Sequence, residues 1–379
     1  MRDPGPGAEP EPPRPREELR VAKAPTIYDV ARRAGVSKSL VSLVLRGSSR
    51  VSDEKRAAVL TAVAELDYTP SRLAAGLAGS RTRSVGVVID EFENLWFAPV
   101  LAGLRASLGG YSLSVADAAL NAHLGLDPVE AFRSLRVDGL VLAGEVPEAA
   151  VQRLGIPAVV LGTRSMLLPG APLVASDERA GGRLATAHLA ELGHRDIVCL
   201  SATGASSAAR EAGYREEMGE RGLAPRVLRA ARTTESAAFA AAAGLFEAAR
   251  GGAAPPAPSA VFAVNDPMAV GVIGAARARG IEVPCGLAVV GYDDSPIAAY
   301  ETLSLTSVSG DPRELGEVAG RALRELLADA AGPVPAGASG GAREPVPAEL
   351  GRDAAPGRAA PAPAALLPPR LIVRRSSGA

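Results

Sequence analysis

Apolar residues recur at helical spacing in the first patterned stretch of the chain, which begins at Thr26. The positions i, i+3, i+4 and i+7 are occupied by Ile27, Val30, Ala31 and Ala34. An apolar stripe with this period is typical of an amphipathic helix. Thr26 carries the hydroxyl that an N-cap needs, and Gly35 suits the left-handed residue that ends a helix. The pattern therefore predicts a helix between these two residues.

Two further helices are predicted by the same criterion. On a wheel of about 100° per residue, residues 38–46 separate into two faces. The apolar face, which can pack on neighbouring helices, consists of Leu40, Val41, Val44 and Leu45. The opposite face consists of Lys38, Ser39, Ser42, Leu43 and Arg46. Ser52 can cap the third helix, 53–66, whose expected apolar positions are Ala57, Val59, Leu60, Val63 and Leu66.

The short break between the first two helices carries a functional implication. Two short helices joined by a turn that contains glycine are the signature of a helix-turn-helix. The polar face of the second helix is then free to enter the major groove of DNA, which admits one helix. A small structural bundle of three helices has the same spacing, because this geometry also occurs in proteins that do not bind DNA. Spacing alone leaves both interpretations open.

Beyond Arg83 the pattern changes to short apolar runs that alternate with Ala/Leu/Arg-rich segments of helical length. The runs lie at 84–90, 112–118, 139–144, 158–162, 173–176, 196–202, 260–264 and 287–293. Continuous apolar runs separated by helices indicate parallel strands that are covered on both faces. The pattern predicts a doubly wound α/β body.

Two segments have a composition that prevents a packed core. Residues 1–24 are rich in Pro, Glu and Arg, and residues 329–365 are rich in Pro, Ala and Gly. Both are expected to be disordered. The run "LIV" at 371–373 then predicts another strand, so 329–365 is expected to be an insertion before a final strand rather than a tail.

Charge is unevenly distributed along the chain. The 379 residues carry a formal net charge of −1, which by itself indicates no partner. Between residues 24 and 83, however, ten Lys/Arg stand against five Asp/Glu, a local charge of +5. A basic module joined to an acidic body fits binding to a polyanion. A solvated basic surface remains the alternative.

Several classes of function find no support in the residues. The spacing of the two cysteines, Cys199 and Cys285, indicates neither a disulfide framework nor a metal site, so both are expected to be buried free thiols. No apolar run approaches the ~20 residues of a spanning helix, and the N-terminus has no apolar core typical of a signal peptide. None of the three histidines has an evident nucleophile partner, and no phosphate-binding glycine motif is present. We expect a cytoplasmic protein that is not an enzyme and has no cofactor, metal or membrane partner.

The N-terminal module resembles a known family. The stretch "TIYDVARRAGVSKSLVSLVLRGSSRVSDEKRAAVLTAVAELDYTPSRLAAGLAG" is similar to the DNA-binding domain of the LacI/GalR (lactose/galactose repressor) family of bacterial transcription regulators. The similar features include the "TIxDVAxxAGVS" opening, "RVSxxxR" and "LxYxPSxxA". In the body, "AVFAVNDPMAVGV" and "AVVGYDD" also match the family, and the resemblance extends to Asp311 and resumes at Leu366.

The resemblance implies the architecture of the whole chain. It implies an all-α helix-turn-helix domain followed by an α/β, periplasmic-binding-protein-like body of two doubly wound subdomains. The expected bounds are 25–70 for the helix-turn-helix, 71–82 for a hinge helix and linker, 83–174 with 309–328 for the first subdomain, and 175–308 with 366–375 for the second.

The hinge segment is informative on physical grounds as well. Ser71 can cap a helix of only about eight residues, which is marginal in water without support. In the family the hinge helix folds on operator DNA and inserts a leucine into the minor groove. The matching leucine is Leu77, with Ala74 facing the same groove. The full set of DNA contacts implied by the resemblance is Thr26, Tyr28, Ser37, Lys38, Ser39, Ser42, Leu43, Arg46, Tyr68, Ser71, Arg72, Ala74 and Leu77.

The recognition helix departs from the family at two positions. Many members carry Thr at position 40 and Arg at position 43, and here both residues are Leu. Leu43 cannot donate a hydrogen bond to guanine, so we expect it to contact a thymine methyl group or to shield the groove. Base-edge hydrogen bonds would then fall to Lys38 and Ser39, with Ser42 or Arg46 nearer the phosphates.

The resemblance also implies a small-molecule effector held between the two subdomains. The residues that match ligand contacts of the family are Trp96, Phe97, Thr163, Arg210, Asn265 and Asp293. Arginine, asparagine and aspartate together supply donors and acceptors for a polyol. Each also has a structural alternative, such as turn formation for Asp293 and core packing for Trp96. Thr163 stands where many sugar-binding members carry Asp, which leaves the effector open.

The leading expectation is a dimeric repressor on a palindromic operator, controlled by a small molecule that is expected to be a carbohydrate. Two-fold symmetry of the protein implies a palindromic site. The alternative is a regulator of the same fold that is controlled by a protein partner or by its own abundance.

Overall fold

The structure, a computed structural model, describes residues 25–45, 47–68, 81–144, 155–164, 168, 170–250, 256–330 and 364–378. The chain forms two compact units, Met1–Ser80 and Arg81–Ala379. The expected N-terminal extension, nearly all of the expected hinge, and residues 331–363 of the expected insertion lie outside the described residues.

The described part of the first unit contains three helices. They are Ile27–Ala34 (α1), Lys38–Leu45 (α2) and Asp53–Glu65 (α3). Their buried core consists of Val30, Ala31, Val41, Val44, Val51, Val59, Ala62 and Tyr68. The three predicted helices are confirmed, and their apolar stripes meet in one small core.

The ends of α1 form as the sequence predicts. The Asp29 carboxylate accepts hydrogen bonds from the Thr26 amide at 2.9 Å and from the Thr26 hydroxyl at 2.7 Å. Gly35 ends the helix with a φ of 64°, in the left-handed region that favours glycine. The tight turn that follows lets α2 start at Lys38.

The apolar face of α3 is narrower than the sequence suggests. Leu60 is 51% exposed, and Ala57 is exposed as well, so both were wrongly predicted to be apolar contacts of this helix. The contacts come from Val59, Ala62 and Val63. Leu60 lies about 100° around the helix from Val59. Because α1 and α2 cover only one side of α3, a residue at that angle stays in solvent.

The second unit consists of two α/β subdomains. Its strands in chain order are Ser84–Ile89 (β1), Ser112–Asp117 (β2), Gly139–Ala143 (β3), Ala158–Leu161 (β4), Leu173–Ser176 (β5), Ile197–Ser201 (β6), Arg226–Arg229 (β7), Ala260–Ala263 (β8), Ala288–Tyr292 (β9), Thr306–Ser309 (β10), Ala364–Leu367 (β11) and Arg370–Ile372 (β12). Its α-helices are Phe97–Ser107 (α4), Ala118–His123 (α5), Pro128–Ser134 (α6), Glu178–Glu191 (α7), Ala205–Glu220 (α8), Glu235–Arg250 (α9), Asp266–Arg277 (α10) and Pro312–Asp329 (α11). Short 3-10 turns lie at Pro296–Ala299 and Arg375–Ser377.

The strands form two six-stranded sheets. The order is β11-β5-β4-β3-β1-β2 in the first sheet and β12-β10-β9-β8-β6-β7 in the second. All pairs are parallel except β10 with β12. Helices cover the sheets, whose central strands are buried, so the expected doubly wound α/β body is confirmed. In the described residues, no helix is long and apolar enough to cross a bilayer.

The last crossing between the subdomains differs from the expectation. Residues 366–375 were assigned to the second subdomain, but β11 pairs in parallel with β5 of the first sheet, with Leu366 opposite Ala175. Only β12 joins the second sheet, antiparallel to β10. The chain therefore crosses between Leu367 and Arg370. The sheet that a strand joins is decided by its partner, which its own residues do not reveal.

The other two crossings also lie a little further along the chain than expected. The first subdomain was bounded at 174, but β5 continues in the first sheet to Ser176. The segment 309–328 was assigned to the first subdomain, but Ser309 is the last residue of β10 in the second sheet. The first subdomain therefore resumes with α11, which packs in its core through Leu315 and Leu323.

Two smaller features also differ from the expectations. The edge strand β7, "RVLR", was not predicted, because its arginines interrupt the apolar run. Of the two cysteines, Cys199 is buried as expected, whereas Cys285 is exposed.

Helices of the body approach each other closely at glycines. A Cβ at Gly103 of α4 would lie 2.1 Å from the backbone oxygen of Arg313, and one at Gly316 of α11 would lie 2.2 Å from that of Val100. Real Cβ contacts are never so short, so any side chain at these positions forces the two helices apart. The reciprocal glycines thus fix α11 against the first subdomain.

Substitution of Gly103 by alanine is expected to destabilise the body by about 1–3 kcal/mol, the usual cost of overpacking a core. Urea unfolding followed by circular dichroism measures the effect. Gly109 provides the matched control, because a Cβ there meets no atom within 4 Å. Gly109→Ala should leave the free energy of unfolding within about 0.5 kcal/mol of the parent. Equal effects of the two substitutions would contradict the close-approach argument.

Candidate functional site

The two faces expected for α2 are present. Val41 and Val44 are buried, and Leu40 and Leu45 pack partly buried against the same core. On the opposite side, Leu43 is 39% exposed, and Lys38 and Ser39 are exposed as well. Ser42 is half-buried, and Arg46 lies outside the described residues. The helix therefore presents two polar side chains and one leucine to the exterior.

Tyr28 of α1 lies beside this exterior face. Its side chain is among the most exposed apolar groups of the unit, at 63%. The Lys38 ammonium donates a hydrogen bond to the Tyr28 hydroxyl at 3.2 Å and lies 4.9 Å from the centre of its ring. Two residues predicted to contact DNA are thus brought together, and the pairing directs the Lys38 charge along the outside of the module.

The remaining predicted DNA contacts are placed differently. Thr26 and Ser37 serve as helix caps, since the Thr26 hydroxyl donates to Asp29 and the Ser37 hydroxyl accepts from the Leu40 amide at 3.3 Å. Tyr68 is only 9% exposed and belongs to the core of the unit. The other four predicted contacts lie outside the described residues: Ser71, Arg72, Ala74 and Leu77.

The body contains a cleft of about 500 Å³ between its two subdomains. It opens beyond the carboxyl ends of the strands, where open α/β sheets bind ligands. The six residues predicted for effector binding all line it: Trp96, Phe97, Thr163, Arg210, Asn265 and Asp293. Further lining residues come from both subdomains and include Asp90, Glu91, Asn94, Arg164, Glu178, Thr203, Ser207 and Arg232.

Arg210 is the centre of the second-subdomain wall. It is only 8% exposed, and its Nε donates to Glu178 at 2.5 Å while one terminal nitrogen donates to the Val264 carbonyl at 2.5 Å. The other terminal nitrogen lies 3.0 Å from the Asp293 carboxylate. The guanidinium carbon stacks 3.7 Å from the centre of the Tyr292 ring. Four groups therefore hold the guanidinium in one position.

Two adjacent glycines in the first turns of α7 make room for this arrangement. A Cβ at Gly182 would lie 2.0 Å from the backbone oxygen of Arg210, and one at Gly181 would lie 2.2 Å from the Tyr292 hydroxyl. Glu178 stands one turn earlier on the same helix. The sequence "DERAGG" thus supplies both the carboxylate partner of Arg210 and the space for it.

Asp293 has an unusual backbone conformation and an unusual pKa. Its φ is 101°, in the left-handed region that non-glycine residues rarely adopt. Burial raises the pKa of Asp293 to about 8, although the Arg210 charge opposes this shift. One guanidinium lies between the two buried carboxyl groups of Glu178 and Asp293, and the raised pKa of Asp293 favours its protonated form.

This shift predicts a pH dependence of stability. The folded-state pKa of Asp293 is raised above its unfolded value, so the folded state binds the proton more tightly. Its contribution is present in full below about pH 4, the unfolded pKa, and is lost as the pH rises through 8. Asp293→Asn should therefore flatten the fall in unfolding free energy between pH 4 and pH 8, measured by urea titration at each pH. An unchanged slope would show that Asp293 ionises normally.

Asp266 holds the turn that carries Asp293 in place. It was not among the residues predicted from the sequence. The buried Asp266 carboxylate accepts hydrogen bonds from the Ser295 amide at 2.7 Å, the Ser295 hydroxyl at 2.8 Å and the Ser307 hydroxyl at 2.6 Å. Burial raises the pKa of Asp266 to about 6. Its neighbour Asn265 caps α10 by accepting from the Met268 amide at 2.9 Å. The "ND" pair therefore connects α10 to the ligand-side turn.

The first-subdomain wall contains a second buried arginine. Arg164 follows β4, and its guanidinium lies 2.7 Å from the Asp90 carboxylate and 3.1 Å from the Leu161 carbonyl. Neither Arg164, Asp90 nor Glu178 was predicted to belong to the site. A signal was available, since all three lie within three residues of the end of a strand, Asp90 after β1, Glu178 after β5 and Arg164 after β4, at the sheet edge where ligands bind.

The two walls touch across the cleft. The Ser206 hydroxyl of the second subdomain donates to the Thr163 carbonyl of the first at 3.0 Å. Arg232 of the second lies 3.4 Å from Glu91 of the first. Such contacts must change whenever the subdomains rotate apart.

An aromatic pair occupies the first-subdomain side. Trp96 and Phe97 meet edge to face, with ring centres 5.1 Å apart and planes at 76°. Phe97 is buried and starts α4, whereas Trp96 is half-buried. Trp96 therefore offers the cleft a partly exposed ring.

Comparison with known proteins identifies the family of this chain. Residues 26–71 match the family described as bacterial regulatory proteins, lacI family, and residues 186–337 match a periplasmic binding protein-like domain. The HTH-type transcriptional repressor PurR of Vibrio campbellii is 33% identical over 318 residues, which cover 80% of this chain and 92% of that protein. The HTH-type transcriptional regulator DegA of Bacillus subtilis is 31% identical, with coverage of 77% and 88%.

Solved structures agree with these matches. The lac repressor dimer bound to operator and the anti-inducer ONPF has a TM-score of 0.71 at 26% identity, covering 94% of this chain and 100% of that one. The complex of the transcriptional regulator CelR with cellobiose has a TM-score of 0.61 at 27% identity, with coverage of 93% and 99%. The chain therefore belongs to the lacI family of bacterial regulatory proteins, with a DNA-binding helix-turn-helix unit and a periplasmic-binding-protein-like body.

Proposed function

We propose that this protein is a dimeric transcriptional repressor that binds a palindromic operator and responds to a small molecule in the inter-subdomain cleft. One observation carries the proposal: in a chain whose other unit is a helix-turn-helix, six residues implied as ligand contacts line a single cleft. A regulator of this kind acts on the chromosome, so we place it in the cytoplasm, at the nucleoid.

DNA recognition is assigned to the exterior face of α2. Lys38 and Ser39 hydrogen-bond to base edges, and Leu43 contacts a thymine methyl group. Ser42 and Arg46 lie nearer the phosphates. Two copies of the hinge, with Leu77 as wedge, enter the minor groove at the centre of the operator, where unstacking allows more protein contact. The helix-turn-helix spans 25–70 and the hinge 71–82.

Leu43 is expected to set the base preference at one position of each half-site. Leu43→Ala should relax that preference, and loss of the methyl contact at one base pair costs about 1–3 kcal/mol. Competition binding with operators that carry each base at that position measures the change. Leu60→Ala is the matched control, because Leu60 is an exposed leucine on α3 rather than on α2. An unchanged preference in Leu43→Ala would show that the side chain only fills the groove.

The cleft supports binding of a carbohydrate or a related polyol. Carboxylate, amide and guanidinium groups hydrogen-bond to hydroxyls, and sites built for hydroxyls discriminate strongly. The half-exposed ring of Trp96 can stack on an apolar ring face. The solved complex of CelR with cellobiose shows a sugar held by a protein of this fold.

The contacts across the cleft give an effector a means of controlling operator binding. An effector shifts the subdomain arrangement only if it binds the two arrangements with different affinity. The pairs Ser206–Thr163 and Arg232–Glu91 exist in one arrangement, so a ligand that displaces them favours the other. The test is operator affinity measured with and without a panel of sugars and nucleosides. A panel member that changes operator affinity supports the proposal.

The same contacts favour a second candidate, a regulator with no small-molecule effector. Side chains of the protein itself bridge the cleft at two points, and an abundance-controlled or partner-controlled regulator needs no more than that. Calorimetry separates the candidates, since heat of binding from any panel member excludes the second.

A further inference from the structure

We propose that Arg374 is a positioning residue for effector binding: it holds the turn 293–295 so that the Asp293 carboxyl group faces Arg210 and the cleft. Arg374 lies two residues beyond β12, in the segment that follows the last crossing between the subdomains, and does not line the cleft itself. This role rests on the proposed effector function of the cleft. It connects the final segment of the body to the cleft wall.

The turn needs support because two consecutive residues in it have left-handed backbones. The φ of Asp293 is 101° and that of Asp294 is 45°. Neither residue is glycine, and other residues persist in this region only where their surroundings hold them there. The contacts around the turn must therefore offset its strain.

The main chain of the turn is well bonded. All three amides of residues 293–295 donate hydrogen bonds. Their acceptors, in chain order, are the Val308 carbonyl at 2.8 Å, the Ser307 hydroxyl at 3.0 Å and the Asp266 carboxylate at 2.7 Å. Exchange of these amides with solvent therefore reports opening of the turn.

Arg374 supplies the partner of the Asp294 side chain. One terminal nitrogen of its guanidinium donates to the Asp294 carboxylate at 2.8 Å, and the other donates to the Leu305 carbonyl at 2.8 Å. The side chains of Arg374 and Asp294 are each 20% exposed, so solvent screens the pair less than it screens an open surface pair. The guanidinium thus joins the two ends of the segment 294–305, which connects the turn to β10.

The main chain of Arg374 is itself fixed to the second sheet. Its amide donates to the Thr306 hydroxyl at 2.8 Å. The Ser376 hydroxyl accepts from the Thr306 amide at 2.8 Å and donates to the Val289 carbonyl at 2.6 Å. Because Thr306 and Ser376 are both buried, Arg374 reaches the turn from a rigid base.

The neighbouring arginine makes the same types of contact away from the turn. The Arg375 guanidinium donates to the Glu301 carbonyl at 2.5 Å and to the Glu301 carboxylate at 2.9 Å. The Arg375 side chain is 66% exposed and that of Glu301 is 92% exposed. Arg375→Gln is therefore the matched control for Arg374→Gln.

Hydrogen exchange in the full chain, followed by mass spectrometry, measures the effect. In Arg374→Gln, peptides that contain residues 293–295 should exchange about tenfold faster or more, as expected when a hydrogen bond between charged groups is lost. Peptides from β8, in the middle of the second sheet, should keep their rate. Arg375→Gln should leave both rates unchanged. An unchanged turn, or equal acceleration of the turn and β8, would overturn the assignment, since Arg374 would then act on nothing or on the whole body.

A glycine background ties the result to Asp294. Glycine adopts a φ of 45° without strain and offers no carboxylate. In Asp294→Gly, the further substitution Arg374→Gln should therefore produce no additional acceleration at the turn. Acceleration as large as in the parent would show that Arg374 does not act through Asp294, and the proposal would fail.

Asp293 gives a readout specific to the cleft. Burial raises its pKa, the Arg210 charge opposes this shift, and the carboxyl groups of Asp266 and Glu178 raise the pKa further. Arg374 is not among these charges, so its removal acts on Asp293 through the turn. When the turn opens, Asp293 becomes hydrated and its pKa falls towards the usual value.

Urea titration at a series of pH values detects this fall. The decrease in unfolding free energy between about pH 4, the usual pKa of aspartate, and pH 8 should be flatter in Arg374→Gln than in the parent or in Arg375→Gln. The same decrease in all three proteins would refute the positioning role. No ligand or DNA enters these measurements, so their failure is distinguishable from failure of the proposed repressor function, which would appear as loss of operator binding.

Discussion

Arg210→Ala is expected to lower the free energy of unfolding of the body by about 3–5 kcal/mol, the cost of removing one partner from a buried ion pair. The substitution leaves the buried Glu178 carboxylate without its 2.5 Å hydrogen bond and leaves Asp293 without its 3.0 Å contact. It also opens a cavity above the Tyr292 ring, because the stacked guanidinium is removed. The effect combines charge burial with lost packing.

Urea unfolding followed by Trp96 fluorescence measures this loss, since Trp96 belongs to the body. Arg215→Ala is the matched control, because Arg215 is a half-exposed arginine on the same helix that pairs with Glu211 one turn earlier. Glu211 is buried but keeps a second partner in Arg229, 2.7 Å away, so loss of the half-exposed Arg215 should cost less than about 1 kcal/mol. If Arg210→Ala costs no more than Arg215→Ala, the cluster around Arg210 is not the structural centre of the cleft.

Removal of residues 1–80 is expected to abolish sequence-specific DNA binding, a loss of at least about 10³-fold relative to the full chain. The exterior face of α2, with Lys38, Ser39 and Leu43, lies in the deleted unit. The body, Arg81–Ala379, is a compact unit with its own cores, so it should remain folded. Electrophoretic mobility shifts with a selected operator measure the loss.

The same truncation supplies its own control. The Trp96 unfolding transition of the body should occur at about the same urea concentration with and without residues 1–80. Specific binding retained by the truncated chain would refute the assignment of DNA recognition to the first unit.

The fold could be predicted wherever local periodicity decides the outcome. The docking face of α2 was predicted correctly because Val41 and Val44 are one turn apart and point the same way. The exposure of Leu60 was not predicted, because the direction from which α1 and α2 approach α3 is decided by tertiary packing. The edge strand β7 lacks the continuous apolar run of a central strand. The crossing at Leu367 depends on a partner strand that lies far away in the sequence.

Part of the lining of the cleft could be predicted from the sequence. Resemblance to the family supplied six residues, and the structure brings all of them to one cleft. It did not supply Glu178 or Asp90, which balance the charges of Arg210 and Arg164. Partners of a buried charge come from other strands and helices, so spacing within one segment cannot identify them. Their positions, one residue after β1 for Asp90 and two residues after β5 for Glu178, were the available signal.

Selection of bound sequences from a random DNA library, performed with the full chain, tests the central claim most directly. A dimeric regulator that presents one α2 helix per subunit should enrich two inverted half-sites with centres about one helical turn apart, or a multiple of it. Enrichment of a single unpaired half-site, or of no sequence at all, would contradict the account.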